Sequence, residues 1–253
     1  MSPTTERLLK AAILIALGAY LYTRLTTETV LFYINERFVM LTLLAAVGFL
    51  LVGASLVLRP GRDHHHTHEH EHTHEHDHNH SHVTWLGLLI LAVPVIVGIL
   101  VPPQPLGANA LENREVNVGS LSSIAPPRSN DTRMGIVTGE KNILDWLSEF
   151  HDNPDPAGFT NQAAHIIGFV YRDDRFTPDT FMVSRFIVSC CVADAAPVGL
   201  IVQWPDTPTL AGDQWVEVTG HFQPGSFDGF TLPVLVAEEI KLTEPPAQPY
   251  LYP

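Results

Sequence analysis

The sequence predicts an α-helical membrane region of three transmembrane helices at the N-terminus. A small C-terminal β-rich domain of the OB-fold-like barrel type follows, with one amphipathic helix before its strands. Three observations carry this. Long uncharged apolar runs crowd the first hundred residues of a chain of 253. From residue 162 onward the pattern changes to short β-branched and aromatic runs between turn-forming stretches. Between the two lies a connection rich in Pro, Ser, Asn and Gly. The expected division is a membrane region over 1–101, a linker over 102–134 and a soluble domain over 135–253.

Three runs have the roughly 17–25 mostly apolar residues that a bilayer crossing needs. The first is 8–25, with Lys10 and Arg24 near its ends, where long side chains reach the interfaces. Arg7 and Lys10 ahead of an apolar run also fit a signal peptide, but LGAYLYTRL offers no small-x-small cleavage site. The second, 38–58, is 21 residues without a charge, and the third, 83–101, carries Trp85 as an interfacial anchor and a tolerable Pro94. A buried core helix is the alternative for both. With the N-terminus inside, Arg7, Lys10, Arg59 and Arg62 lie in cytoplasmic segments, against Arg24, Arg37 and Arg114 opposite. That asymmetry favours a cytoplasmic second loop and an extracytoplasmic C-terminal domain on a multi-pass plasma (inner) membrane protein.

After the linker, Thr138 is expected to cap a helix with Glu140 in its first turn. Ile143, Leu144, Trp146, Leu147 and Phe150 recur at helical spacing, and Pro154 and Pro156 prevent continuation. The strand candidates are AHIIGFVYR, TFMVSRFIVSC, VGLIVQW, DQWVEVTGHF and LPVLVAEEIKL, separated by DDRFTPD, ADAAP, PDTPTLAG and QPGSFDG. Five short strands with Gly168 and Gly220 at points of sharp coiling suggest the small barrel, with a β-sandwich fragment as the alternative.

Between the second and third apolar runs lies DHHHTHEHEHTHEHDHNHSH, which holds 11 of the 14 histidines. These are His64, His65, His66, His68, His70, His72, His74, His76, His78, His80 and His82, interleaved with Glu69, Glu71, Glu75 and Asp77. The tract is internal and mixed with acids, unlike an expression tag. Imidazole suits borderline divalent ions, and the carboxylates add charge complementarity. Alternation with polar residues denies the tract a core, so it reads as a collecting or sensing loop with several shifting ligand sets. The expected ion is a divalent metal, zinc foremost; a solvated spacer is the plainer reading.

The only two cysteines are adjacent, Cys190 and Cys191. A disulfide between neighbours closes a small strained ring, so a structural staple is a poor reading. Neighbours on a regular strand point to opposite faces, a restriction that relaxes if the strand ends there and a turn begins. Asp194 then lies within range of a local metal site, and Arg185 is placed to lower a thiolate pKa or pair with Asp194. Two buried small hydrophobes remain the alternative. A thiol enzyme would want a histidine base, for which His165 and His221 are the candidates outside the tract. No C-x-x-C, G-x-S-x-G or P-loop supports enzyme chemistry. Residues 130–253 carry 6 basic and 17 acidic side chains, a net −11, which argues against nucleic acid as a partner.

The segment from Arg185 and Phe186 through CCVADAxPxGL (Cys190, Cys191, Val192, Ala193, Asp194, Ala195, Pro197, Gly199, Leu200) resembles the signature of the YcgQ-like permease accessory subunit family. The layout is similar as well, with VTGHF and LVAEEI standing where that family has its xVxGxF and LxAxxI strands. The resemblance implies a partner, a separate multi-span permease, and for some members a link to zinc homeostasis. It supplies no mechanism, and the His tract is not a fixed feature of the family. The expected function is therefore a membrane-anchored accessory subunit of a metal-linked permease, with a membrane-tethered thiol or redox protein using Cys190 and Cys191 as the alternative. The CCVAD corner either holds metal or shapes a docking surface.

Overall fold

In the computed structural model, residues 3–58, 85–111 and 141–252 are described. The His-rich tract, Thr138 and Glu140 lie outside them. Three helices form the first unit, which comprises Met1–Val30 and Arg37–Pro103. These are α1 (Pro3–Thr26), α2 (Val39–Leu58) and α3 (Trp85–Leu100, with Pro94 inside it). Ile15 packs against Gly53 and Leu50 against Gly18, so α1 and α2 run antiparallel. The Arg24 guanidinium donates to the Gly98 carbonyl at 2.7 Å, joining the C-terminal ends of α1 and α3.

Among the described residues, α1 and α2 (as Thr4–Thr26 and Glu36–Leu58) are long and apolar enough to cross a membrane. At 16 residues α3 falls short of that length, so two of the three expected helices meet this criterion. A core helix of a soluble protein would bury its apolar side chains. Here Met40, Leu41, Leu44 and Leu51 are each more than 60% exposed, which answers the buried-core alternative for α2.

The second unit comprises Leu31–Glu36 and Gln104–Pro253. The stretch expected to be a linker divides: 104–111 packs here, with Leu111 buried and the Leu106 N–H on the Tyr250 hydroxyl, while 112–134 lies outside the described residues. Helix α4 (Ile143–Asp152) begins at a capping box in which the Asn142 side chain accepts from the Leu144 and Asp145 N–H groups. The cap is thus Asn142, in place of the expected Thr138. All five apolar residues singled out on α4 are buried. Trp146 and Phe150 meet Phe222 edge-on at 4.7 and 5.3 Å between ring centroids, which seats the helix on the sheet.

The strands are β1 (Ala163–Tyr171), β2 (Thr180–Ile187), β3 (Ala196–Gln203), β4 (Trp215–Phe227), β5 (Phe230–Leu242) and β6 (Tyr250–Leu251). All five strand candidates are present. With β6 they form one six-stranded sheet in the order β1-β4-β5-β3-β2-β6, with an additional β1–β2 pairing. The expected small barrel is corrected to this curled sheet. The two seams that a barrel would need are short, β1–β2 running only from Phe169↔Ser184 to Tyr171↔Met182 and β3–β5 over Val202↔Leu235 and Gln203↔Val236. The two-residue β6, unforeseen from sequence, pairs parallel to β2.

Both glycines expected at sharp coiling sit where backbones nearly touch. A Cβ at Gly168 would lie 2.6 Å from the Ser184 carbonyl oxygen, and one at Gly220 would lie 2.1 Å from that of Val236. The β4–β5 register also slips beside Gly220. The segment QPGSFDG, expected as a turn, instead mostly extends β4. The turn is Asp228–Gly229 alone, with φ of 50° and 81°, as a two-residue hairpin of the primed type requires.

Candidate functional site

The corner that follows β2 gathers the residues singled out by sequence. The strand stops at Ile187, Val188 donates to the Leu251 carbonyl, and the chain bends through Ser189 and Cys190 before a 3-10 turn over Val192–Asp194. Because the strand has ended, the two cysteine side chains need not diverge, and their sulfur atoms lie 3.7 Å apart. One ligand atom each from Cys190, Cys191 and Asp194 falls within 4.8 Å of the others. Cys190 is exposed and Cys191 half-buried, both as free thiols.

Asp194 organises the loop. Its Oδ1 accepts the Ser189 N–H at 2.9 Å, and its Oδ2 accepts those of Cys190 at 2.7 Å and Cys191 at 3.4 Å. Burial works against the charged form, but hydrogen bonds from the Cys190 thiol and from these three N–H groups outweigh it, and the carboxyl sits below its usual range. The consequence falls on the cysteine. The hydrogen bond to Asp194, and then the one to Cys191, push the Cys190 thiol up to about 11. A corner that holds its thiol protonated is poorly made for a thiolate nucleophile.

Arg185 does not reach this corner as expected. Its guanidinium is largely buried on β2 and donates to the carbonyls of Gln248, Pro249 (3.0 Å) and Tyr250 (3.4 Å), which pins the tail carrying β6. Burial lowers its pKa to about 10, which leaves it charged at neutrality. It lines an open polar cleft of about 410 Å³ with Glu36, Asn142, Gln248 and Tyr252. The histidines considered as bases are engaged with acids, His165 with Glu217 at 2.5 Å and His221 with Glu238 at 2.9 Å. Neither joins the cysteines in the three-residue group.

Sequence reasoning missed the segment that braces the corner. Ile34 forms an antiparallel bridge with Cys191. The Val192 N–H donates to the Tyr33 carbonyl and the Asn35 N–H to that of Cys190, both at 3.0 Å. The fully buried Asn35 side chain donates to the carbonyls of Val188 at 3.2 Å and Ser189 at 3.0 Å. Residues 33–35 thus add a short extra strand to the turn holding the cysteines. A polar residue directly after the apolar run VLFYI, between two apolar helices, was the signal available.

Comparison with known proteins gives two family matches in chain order. The DUF1980 N-terminal domain matches residues 9–117 and the DUF1980 C-terminal domain matches 124–253. The UPF0703 protein YcgQ of Bacillus subtilis (strain 168) is 26% identical over 99 residues, 38% of this chain and 35% of that protein. A Streptococcus mutans serotype c protein, described as a proposed subunit of a two-component membrane permease complex, is 24% identical over 199 residues. That alignment spans 65% of this chain and 72% of the relative, so the chain covers about a third of the first relative and most of the second.

Proposed function

The chain belongs to the DUF1980 family, and on that premise we propose that it is the membrane-anchored accessory subunit of a two-component permease. It works beside a separate multi-span partner. The carrying observation is the likeness to the Streptococcus mutans protein over 65% of this chain. Neither α2 nor α3 contains an Asp, Glu, His, Lys or Arg, and those of α1 (Glu6, Arg7, Lys10, Arg24) are towards its ends. Such helices line no ion path of their own, which assigns the pore to the partner.

Connectivity supports a third crossing by α3. Residues 31–36, between α1 and α2, belong to the same compact unit as 104–253. If α2 crosses the bilayer, the chain must cross once more before residue 104 to rejoin that unit. Helix α3 is the apolar segment available, and the contact of its C-terminal end with that of α1 fits an up-down-up arrangement. The His-rich tract then lies across the membrane from the sheet domain, on the cytoplasmic side by the charge asymmetry. There it gathers divalent metal, zinc first, for the permease.

The test is purification of the tagged full chain from detergent-extracted membranes. A multi-span protein should copurify in equal amounts, in a particle larger than the chain's 27.9 kDa. Cellular zinc accumulation should change when either component is deleted. Recovery of the chain alone, with zinc accumulation unaltered by its deletion, overturns the reading.

A further inference from the structure

We infer that Cys190, Cys191 and Asp194 form a three-ligand site for a thiophilic divalent cation of the zinc class. The inference stands on side-chain geometry and needs no permease partner. Two zinc–sulfur bonds of ~2.3 Å at a tetrahedral angle set their sulfur atoms about 3.8 Å apart. The Cys190 and Cys191 sulfur atoms are 3.7 Å apart without rearrangement, and an Asp194 oxygen lies within 4.8 Å of both.

Asp194 keeps capacity for the cation. A carboxylate has about four lone-pair sites, and the N–H groups of Ser189, Cys190 and Cys191 occupy three. The remaining direction is left for the cation. A cation between the two sulfur atoms and Asp194 displaces the thiol protons, so binding releases protons and leaves the backbone hydrogen bonds intact. Two sulfur donors favour zinc-class ions over magnesium or calcium. The bridge from Ile34 and the bonds from Asn35 hold the backbone of 188–192 in the shape that brings the sulfurs together. Three protein ligands and an exposed fourth position make a site that a cation enters and leaves, unlike the closed four-ligand sites of structural zinc.

Cobalt(II) and cadmium(II) titrations of the reduced full chain in detergent test this. The chain has only two cysteines, so thiolate-to-metal charge-transfer absorption reports this corner whatever the His tract binds. The expected result is a band that saturates at one ion per chain, is removed by competing zinc, and needs at least tenfold more metal in Cys190→Ser and in Cys191→Ser. Those two variants leave the carboxylate's backbone bonds in place, so a loosened corner does not explain their loss. No band at saturating cadmium with two titratable thiols, or an unchanged band in either single variant, overturns the site. Either result leaves the permease reading untouched, since copurification decides that separately.

Discussion

Asp194 joins two roles that the sequence presents as one. Its place three residues after Cys191 made it legible as a ligand, but its acceptance of three backbone N–H groups was not, because that depends on the bend at Ser189–Cys190. Without metal, its charge keeps the Cys190 thiol neutral. The raised thiol pKa means this corner is fully favoured below pH about 9 and loses that contribution as pH climbs through about 11. Asp194→Asn should move the alkylation midpoint of Cys190 down toward the ordinary thiol value, with iodoacetamide reaction at pH 8 at least about tenfold faster, since a lower pKa raises the thiolate fraction. An unshifted pH–rate profile would contradict the assignment. Asn35 was illegible because its partners lie more than 150 positions away. Replacing it with alanine removes the donor to the buried Val188 carbonyl and to the Ser189 carbonyl, at a cost of about 1–3 kcal/mol. Thermal unfolding of Asn35→Ala should begin several degrees earlier, with faster labelling of both cysteines.

At the scale of elements, periodicity located what was long and strongly patterned. The 3.6-residue spacing of Ile143, Leu144, Trp146, Leu147 and Phe150 placed α4, and β-branched runs placed five strands. Two residues, as in β6, are too few to show any period, and that strand exists because the Arg185 guanidinium binds the tail beside β2. The strand end at Phe227 was misplaced because Pro224 and Gly225 look like turn residues. Pro224 faces Pro233 across the hairpin, and neither residue has an N–H to leave unpaired. Gly220 is the sharpest test of the sheet's curvature. Gly220→Ala drives a Cβ into the Val236 carbonyl, where the obstacle is backbone that cannot swing aside. It should cost roughly 1–3 kcal/mol of the second unit's stability. Gly212→Ala is the control, with nothing within 4 Å of its added carbon, and should unfold like the parent. Equal midpoints for the two variants would mean that the strands do not approach as described.

For the whole molecule, the informative fact is the discontinuity of the second unit. Hydropathy finds apolar runs one at a time, and on length alone α3 fails where α1 and α2 pass. Chain connectivity supplies what hydropathy lacks, because 31–36 and 104–253 fold together and enclose α2, the His-rich tract and α3 between them in sequence. If α2 spans a bilayer, as proposed, a second crossing has to bring the chain back before residue 104. The prediction compares the native cysteines with a single cysteine placed in the tract, Thr73→Cys in a Cys190→Ser, Cys191→Ser background. In intact cells a membrane-impermeant maleimide should label one of these positions and spare the other until the membrane is opened. The charge asymmetry gives the sign, with Cys190 and Cys191 reacting first from outside. Opposite-sided labelling in the reverse order would correct the orientation while keeping both crossings. Labelling of both from the same side would mean that α2 and α3 do not each span, and the apolar exterior of α2 would then need a protein partner to cover it.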